Sequence, residues 1–411
     1  MSALRSVHGC HRSGGATMTG GGRQELPIGR RIAQLRVRRG MSQQVFADRI
    51  GKSKSWVDKV ERGARRLDRL SVIETVAGAL GVATGVLVGR DGPRPTVTEM
   101  SVAVERVREA LARYEPATAG VTSAGLDRQF GYALAAYRHA QYPQLLRILP
   151  DLLADARHAS GVGMPVSAGD LLVRVYRLAA QVLVKLGEPD LAWLAADRAM
   201  TAAGDDARRT AIAVVGLAQA LRAARRGRLA LAVTRTALHR LDPTPSPTSP
   251  PEDVARAGIL LVEAALSAAT CGDATTAGTL TDQAARLAHR HGRHGGFGPT
   301  VVDLARALIA TGLGDNGLAI ATHTFAVSTD AWHRLPAEHR AGHLIDITRA
   351  HLALGDPQAA GRALIAADRI APAETRVRPA GRAALTAVLR AGSSPADVTR
   401  LATLVGLTRQ P

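Results

Sequence analysis

Apolar residues recur at helical spacing along most of the chain, and its long runs of Ala, Leu and Arg lack the β-branched alternation that strands require. Near the N-terminus, Ile28, Ile32 and Leu35 mark the apolar face of a first helix. Gly40 follows at the place where a left-handed residue would end that helix. The pattern therefore predicts an all-α protein.

Three further short helices are predicted before residue 88. Ser42 can cap the second helix, Gly51 ends it, and we place its apolar face at Val45, Phe46 and Ile50. The fourth helix is marked by Leu70, Ile73, Val76 and Leu80. Such short elements, each closed by a turn residue, are typical of a small helical bundle.

The third helix is predicted to have a polar, basic outer face. Ser53 can cap it, and Val57 and Val60 turn inward. Its outward positions are Lys54, Ser55, Asp58 and Lys59. Two short helices joined by a tight turn, here residues 50–53, form the geometry that places the second of them in the major groove of DNA.

The motifs on both sides of this turn have a recognisable order. They are Ser42–Ala47 (SQQVFA), Gly51 and Ser55–Gly63 (SWVDKVERG). Together they resemble the Cro/C1-type, or XRE-like, helix-turn-helix family, and the resemblance covers residues 28 to 88. It implies a DNA-binding domain, which we bound at residues 25–88, and points to the actinobacterial regulators of development or secondary metabolism.

The resemblance implies particular contacts with DNA. Gln43 and Gln44 would fix the register on the phosphates, whereas Lys54, Ser55 and Lys59 would face base edges, where lysine suits guanine O6 and N7. Three arginines would follow the backbone. The complete predicted set is Gln43, Gln44, Lys54, Ser55, Trp56, Lys59, Arg62, Arg66 and Arg69. The alternative for the lysines is that they serve only solubility.

Two residues of this segment have a structural interpretation. Trp56 would pack on a sugar or a thymine methyl group, or it is a half-buried structural side chain. The resemblance gives Glu61 a structural role, because in this family that carboxylate usually pairs with an arginine of the first helix, here Arg36.

Past a Gly/Pro-rich linker at residues 89–96, small residues recur in fixed columns. We align the chain on the turn glycines Gly187, Gly227, Gly272, Gly314 and Gly355. Five residues after them stand Ala192, Ala232, Ala277, Ala319 and Ala360, and twelve after them stand Ala199, His239, Ala284, Ala326 and Ala367. Seven residues before them stand Ala180, Ala220, Ala265, Ala307 and Thr348. Small residues let two helices approach closely, so the columns predict a helical solenoid.

These columns resemble the tetratricopeptide repeat, in which small residues flank a turn glycine, and Pro372 falls where that family often ends a repeat. The spacing is longer than the family's period, and the bulky aromatic positions are mostly lost. We predict tetratricopeptide-like repeats over residues 97–391, with divergent early hairpins around residues 137–159 and an exposed Pro-rich loop at 242–251. Residues 392–411 are predicted to form a tail with a short helix.

The predicted solenoid offers a place for an effector. Such arrays expose a concave face, lined by the first helix of each hairpin, and peptides are a common cargo. In our register Arg174, Arg177 and Gln181 project into that face, and two guanidinium groups suit a carboxylate. The effector would be a peptide, a small molecule or a protein. The alternative is that these are ordinary solvated side chains.

The positive charge is concentrated in the DNA-reading segment. The formal net charge is +18 over 411 residues, a length at which two or more folding units are expected. Residues 23–90 contain 15 Lys and Arg and 6 Asp and Glu, which leaves +9 there. A concentrated basic segment attracts a polyanion, because neutralised phosphates release counterions. The alternative is a solvated basic helix.

The remaining composition favours a cytoplasmic protein. Cys10 and Cys271 lie far apart, without partners at disulfide or zinc-site spacing, which indicates a reducing compartment. No apolar run reaches the roughly 20 residues needed to span a bilayer, so we expect no membrane partner. Residues 1–24 are predicted to be a disordered extension, and Met18 is an alternative start.

We expect no catalysis, metal or cofactor. Residues 312–317 fit GxGxxG but follow an Ala-rich helix rather than a strand. Residues 51–53 resemble the end of a phosphate-binding loop, yet Phe46 stands where its first glycine belongs. A histidine group without carboxylate or cysteine at ligand spacing comprises His289, His291 and His294.

Together these predictions describe a homodimeric transcriptional regulator that binds a pseudo-palindromic operator in double-stranded DNA within the nucleoid. One short recognition helix contacts few bases, so two-fold pairing would supply the missing affinity. The repeats would bind an effector, dimerise, or do both. The alternative function is a protein-interaction scaffold with an accessory DNA-binding domain.

Overall fold

A computed structural model describes residues 28–65, 67, 70–80, 87, 97–113, 122–161, 166–241, 249–292, 296–392 and 396–407. The regular elements of this part are helices, which confirms the all-α fold class. The chain divides into two compact units, Met1–Arg94 and Pro95–Pro411. The predicted extension at 1–24, the linker at 89–96 and most of the Pro-rich loop lie outside the described residues.

The first unit is a small helical bundle. Its helices are α1 (Ile28–Arg38), α2 (Gln43–Arg49), α3 (Lys54–Glu61) and α4 (Leu70–Ala79). They enclose an apolar core whose most buried members include Ile32, Phe46, Val57, Val76 and Leu80. Since α3 contacts both α1 and α2, its inward face is held from two sides.

The predicted apolar face of α2 was wrong at one position. Val45 is 46% exposed, whereas its neighbour Ala47 is buried. At 100° per residue, Phe46, Ala47 and Ile50 share one face of the helix, and Val45 lies on the far side of Phe46 from the other two. Hydrophobicity alone therefore misplaced the face of this two-turn helix.

The second unit is a succession of helices. In chain order they are α5 (Val97–Ala112), α6 (Ser123–Arg138), α7 (Tyr142–Gly161), α8 (Val166–Leu186), α9 (Pro189–Ala203), α10 (Ala207–Ala223), α11 (Gly227–Arg240), α12 (Pro251–Thr270), α13 (Ala274–His291), α14 (Pro299–Leu313), α15 (Asn316–Val327), α16 (Asp330–His333), α17 (Ala337–Ala353), α18 (Pro357–Ile370), α19 (Pro372–Arg376), α20 (Pro379–Arg390) and α21 (Ala396–Leu404).

These helices pair as antiparallel hairpins that stack in two layers. The hairpins are α6–α7, α8–α9, α10–α11, α12–α13, α14–α15 and α17–α18. The first helix of each contacts the first helix of the next, from α8 through α10, α12, α14 and α17 to α20. This continuous inner layer, with the second helices outside it, is the architecture of a tetratricopeptide-like solenoid.

One turn of the array differs from its predicted position. The left-handed residue of the α10–α11 turn is Arg225, at φ 59°, while Gly227 is the first residue of α11. Gly227 is required for space instead, because a Cβ there would overlap Thr270 Oγ1 and lie 3.0 Å from Cys271 Sγ at the end of α12.

With Arg225 as the turn residue, the predicted columns become more regular. Ala230, Ala237 and Ala218 replace Ala232, His239 and Ala220, and all three replacements are buried. Ala140, at φ 54°, is the turn residue of the earlier α6–α7 hairpin. Each hairpin turn therefore stands two residues before an outer helix, and the small residues lie where the two layers touch.

The ends of the array also contact each other. Glu374 of α19 is fully buried, and it accepts hydrogen bonds from the Tyr142 hydroxyl and from Lys185 Nζ, the latter at 2.9 Å. Lys185 Nζ also lies 2.8 Å from Glu338 Oε2, and Arg378 donates to Glu374 at 3.0 Å. We call these five residues the closure cluster, because they join the first two hairpins to the last.

The predicted C-terminal tail is largely part of the packed unit. Its short helix, α21, contacts α18 and α20. Val398, Leu401 and Ala402 of this helix are buried in the main core of the unit. The helix therefore caps the array rather than extending from it.

Candidate nucleic-acid interface

Two serine caps and a glycine turn set the positions of α2 and α3. The Ser42 hydroxyl accepts a hydrogen bond from Val45 N at 3.2 Å, and the Ser53 hydroxyl accepts one from Trp56 N at 3.1 Å. Between them, Gly51 adopts φ 62°, a left-handed conformation that glycine reaches without the steric cost of a Cβ. The chain is thus locally built to begin α3 where the sequence predicted.

An ion pair joins the last turn of α1 to the last residue of α3. Arg36 Nε and Nη2 donate to the Glu61 carboxylate at 2.6 and 3.0 Å, and Arg36 Nη1 donates to the Met41 carbonyl at 2.7 Å. The hydrogen bonds to Glu61 raise the pKa of Arg36. The pairing implied by the family resemblance is therefore confirmed, and it holds α3 against α1.

The outward face of α3 is free to meet a ligand. Lys54, Ser55 and Lys59 are exposed, and their side chains make no hydrogen bond or ion pair with other described residues. Val57 and Val60 on the opposite face are buried. The two ammonium groups and the hydroxyl are donors that suit phosphate and guanine acceptors.

The other predicted contact residues of α2 and α3 already have protein partners. Gln43 Nε2 donates to Glu61 Oε2 at 2.8 Å, which adds Gln43 to the Arg36 ion pair. Gln44 Nε2 donates to Asp48 at 2.8 Å on the exposed face of α2. Arg62 is exposed and forms an ion pair with Asp58, with Nε donating at 3.1 Å. Their predicted contacts with DNA would require these side chains to share or exchange partners.

Trp56 is half-buried and packs against the core of the first unit. This supports the structural interpretation of the indole. A contact of Trp56 with DNA stays a prediction. Arg66 and Arg69 lie outside the described residues. Lys52 is absent from the predicted set of contact residues, although it is exposed in the turn before α3. Its position between Ile50, which ends α2, and Ser53, which caps α3, was the signal that could have identified it.

In the second unit, the three predicted effector residues lie on α8. Arg174 is exposed, with its guanidinium carbon 4.4 Å from the centre of the Phe130 ring. Arg177 is half-buried, its Nε has no hydrogen-bond partner among the described residues, and burial lowers its pKa. Gln181 is also half-buried.

Two first helices of neighbouring hairpins, α10 and α12, are joined by polar contacts that were not predicted from the sequence. Glu263 of α12 accepts a hydrogen bond from Gln219 Nε2 of α10 at 2.6 Å and pairs with Arg222 Nη2 at 2.5 Å. Arg177 lies next to α10, because a Cβ on Gly216 would be 3.6 Å from Arg177 Cγ. The inner layer therefore combines a guanidinium that has no partner among the described residues with a buried ion pair, although the sequence of these helices is rich in alanine.

Other features have simpler outcomes. Residues 312–317 span the turn between α14 and α15, where Gly314 is left-handed, so this GxGxxG pattern does not follow a strand. Within the described residues, no three His, Cys, Asp or Glu side chains are grouped closely enough to hold a metal ion. Among the described helices, none is long and apolar enough to cross a membrane.

Comparison with known proteins identifies the domain that carries this interface. Residues 27–90 match the family described as helix-turn-helix domain. No curated protein matches the chain. The chain thus contains a helix-turn-helix domain, formed by α1 to α4.

Two solved structures match over a larger part of the chain. One is Bacillus thuringiensis PlcR in complex with the peptide PapR7 and DNA, at 18% identity and TM-score 0.30, covering 63% of this chain and 93% of that one. The other is ComR from S. thermophilus in complex with DNA and its signalling peptide ComS, at 13% identity and TM-score 0.21, covering 73% of this chain and 99% of that one. These superpositions are too loose to support a function, which rests on the residues described above.

Proposed function

We propose that this chain is a sequence-specific, DNA-binding transcriptional regulator of the cytoplasm, in which α3 reads bases in a major groove. The observation that carries the proposal is the contrast between the two faces of α3. Its inner face is held by two serine caps and the Arg36–Glu61 pair, while the side chains of Lys54, Ser55 and Lys59 have no partner among the described residues. A rigid helix with unengaged donors is what base recognition requires.

The operator would be a pseudo-palindrome bound by two copies. Helix α3 has eight residues, so it can present only a few side chains to base edges. Pairing two such helices on half-sites about one helical turn apart multiplies the contacts and the specificity.

The repeat unit would bind an effector, and Arg174, Arg177 and Gln181 are the residues we assign to it. Arg177 Nε is buried and has no partner among the described residues, which supports this assignment, because a buried donor is costly unless a ligand or water satisfies it. The ligand would bring a carboxylate, as a peptide or a small acid does. It would shift the DNA-competent population by binding one state more tightly than the other.

The first test is genome-wide occupancy of the wild type and of Lys54→Ala with Lys59→Ala. We expect the variant to lose the wild-type peaks, because each good base contact contributes about 1–3 kcal/mol of discrimination. In purified form its affinity for such a site should fall by roughly 30-fold or more, because two contacts are lost together. Measurements at about 50 and 200 mM salt should show strong weakening of non-specific binding.

The matched control removes two positive charges elsewhere. Arg228 and Arg235 are exposed on α11, so Arg228→Ala with Arg235→Ala changes the net charge equally without touching the bundle. If both double variants lost the same affinity for DNA, the effect of the lysine substitutions would be due to net charge alone. If the wild type showed no preference for any duplex over random competitor, the regulator proposal would fail. A phenotype that the lysine substitutions leave intact would favour the scaffold function.

A further inference from the structure

Lysine is rare in this chain, and its few positions are clustered. The sequence contains 53 Lys and Arg, of which only four are lysine. Three of them, Lys52, Lys54 and Lys59, fall within eight residues of the helix-turn-helix domain, and the fourth is Lys185. At every other such position the chain uses arginine. We call Lys52, Lys54 and Lys59 the lysine trio.

DNA recognition does not by itself explain this choice of lysine. Arginine presents a planar set of donors that suits guanine and phosphate at least as well. What lysine adds is a primary amine, which reacts with activated acyl groups once it is deprotonated. A guanidinium stays protonated in proteins and lacks this reactivity. The lysine trio therefore gives the DNA-reading segment a chemistry that arginine would not.

The structure leaves the three amines accessible to a reagent. All members of the lysine trio are exposed, and their side chains make no hydrogen bond or ion pair with other described residues. The two carboxylates of α3 are held by arginines instead, because Asp58 pairs with Arg62 and Glu61 pairs with Arg36. Neither carboxylate is therefore occupied by one of these ammonium groups.

Lys185 has the opposite surroundings. Its Nζ lies 2.8 Å from Glu338 Oε2 and 2.9 Å from Glu374 Oε1, and its side chain is only 16% exposed. Burial opposes the charge on Lys185, but the two carboxylates outweigh it and raise the pKa of the amine. The accessible lysine amines of this chain thus all belong to the segment that would read DNA.

We propose that the lysine trio is a site of Nε-acetylation that abolishes DNA binding. The acetyl donor would be an acyl phosphate or an acyl thioester. The deprotonated amine attacks the carbonyl carbon of the donor, and an amide N–C bond forms. The bond from that carbon to oxygen or sulfur breaks, phosphate or thiolate leaves with the electron pair, and the amine proton passes to solvent.

Each acetylated lysine is a neutral amide. It no longer neutralises a phosphate or donates to a guanine as a cation, so acetylation removes the contacts that we assign to these side chains. This inference rests on the proposed function, for which it supplies a means of regulation at the DNA-reading helix itself.

The first experiment is mass spectrometry of the protein isolated from the cells that produce it, grown with an excess of carbon source. We expect acetyl groups on one or more members of the lysine trio and none on Lys185. A protein without an acetyl group on any of the three overturns the proposal. Equal acetylation of Lys185 also overturns it, because accessibility would then not select the site.

The second experiment measures the effect of acetylation on DNA binding. The full-length wild type is treated with acetyl phosphate or, separately, with acetyl coenzyme A, which distinguishes the two donors. Its affinity for a duplex from a wild-type occupancy peak is measured before and after treatment. We expect binding to weaken by roughly 30-fold or more, because at least two contacts are lost together. Failure of both donors to modify the trio, or unchanged affinity after full acetylation, overturns the proposal.

A matched control moves the reactive amine away from the bundle. In a chain with Lys52→Arg, Lys54→Arg and Lys59→Arg, the further change Arg228→Lys returns one exposed amine on α11. Position 228 should become acetylated while the affinity before and after treatment stays the same. A loss as large as that of the wild type would assign the effect to other groups and overturn the proposal.

A partition experiment needs no substitution. Partially acetylated wild type is passed over the immobilised duplex, and the unbound fraction should be enriched in acetyl groups on the lysine trio. An equal distribution between bound and unbound fractions overturns the proposal. Untreated wild type is tested in parallel. If it prefers the duplex over random competitor while acetylation has no effect, this inference fails and the regulator proposal stands. If it shows no such preference, the regulator proposal itself fails.

Discussion

At the scale of single residues, Gly29, the second residue of α1, shows how a close contact between two helices can require glycine. A Cβ at this position would overlap the Val60 carbonyl oxygen and lie 3.0 Å from its carbon, because α1 crosses α3 there. We expect Gly29→Ala to push the two helices apart and destabilise the bundle by on the order of 3 kcal/mol. Hydrogen exchange should show roughly 100-fold lower protection of the amides in α1 to α3.

The control for this prediction is a glycine of the same bundle with open space around it. A Cβ on Gly78 of α4 meets nothing within 4 Å. Because alanine is the better helix former, Gly78→Ala should be neutral or stabilise the bundle by up to about 1 kcal/mol. Similar loss of protection in both variants would show that the close contact of α1 with α3 is not the cause.

At the scale of elements, a histidine pair joins α15 to α17. His323 Nδ1 and His343 Nε2 lie 2.9 Å apart, and His343 is 2% exposed with Trp332 packed edge-on against its ring. Burial lowers the pKa of His343 to about 3 and that of His323 to about 4. It also lowers the pKa values of the nearby His339 and His351. Both imidazoles are therefore neutral in the folded protein near pH 7.

The sign of the pH dependence follows from these lowered pKa values. The two histidines take up protons near pH 6.5 in the unfolded chain but not in the folded protein. Their contribution to the free energy of unfolding is therefore fully present above pH 6.5 and is lost as the pH falls toward 4. At pH 5 the loss should be about 2 kcal/mol for each histidine. Urea unfolding at pH 7.5 and 5.0 measures it.

Substitution of one partner identifies the source of this pH dependence. In His343→Gln the difference between the two pH values should shrink, since the most strongly shifted group is gone. His289 is exposed on α13, so His289→Gln should retain the wild-type difference. An unchanged slope in His343→Gln would assign the acid sensitivity to other groups.

At the scale of the whole repeat unit, the closure cluster determines whether the array is held at both ends. Burial opposes the charge on Glu374, but Lys185 and Arg378 outweigh it and hold the pKa of the carboxyl below its usual value. Glu374→Ala would leave both cations buried without this partner, which costs about 3–5 kcal/mol. We expect faster hydrogen exchange at the start of α7 and in α19 together, because the cluster joins these distant segments.

The control for this cluster is an ion pair that does not join the two ends of the array. Glu105 and Arg108 pair at 3.0 Å on α5, and each side chain is about half exposed. Arg108 also lies 3.7 Å from Glu188, so it keeps a carboxylate partner, and Glu105→Ala should change stability by well under about 1 kcal/mol. Faster exchange confined to α19 in Glu374→Ala would indicate a local role for the carboxylate. Exchange unchanged in both segments would show that the two ends are held by apolar packing alone.

The sequence by itself determined the class of the elements and the location of the DNA-reading helix. Local signals carry that information, since a serine cap, a left-handed glycine and a helical apolar spacing act within a few residues. For this reason Ser42, Gly51 and Ser53 were placed correctly, and the all-α class was predicted correctly. The Arg36–Glu61 pair was also anticipated, but through the family resemblance rather than through spacing.

Only the tertiary structure decided which residues meet across helices. The turn residue is Arg225 rather than Gly227, and Gly227 lies instead where a Cβ would overlap Thr270 of α12, 43 residues further along the chain. The closure cluster joins residues separated by more than half of the repeat unit, and no local pattern encodes such a pairing. The 62% exposure of Phe325 on α15 had the same origin, because an apolar helix shows which of its sides is solvent-facing only after its neighbours have packed against the other.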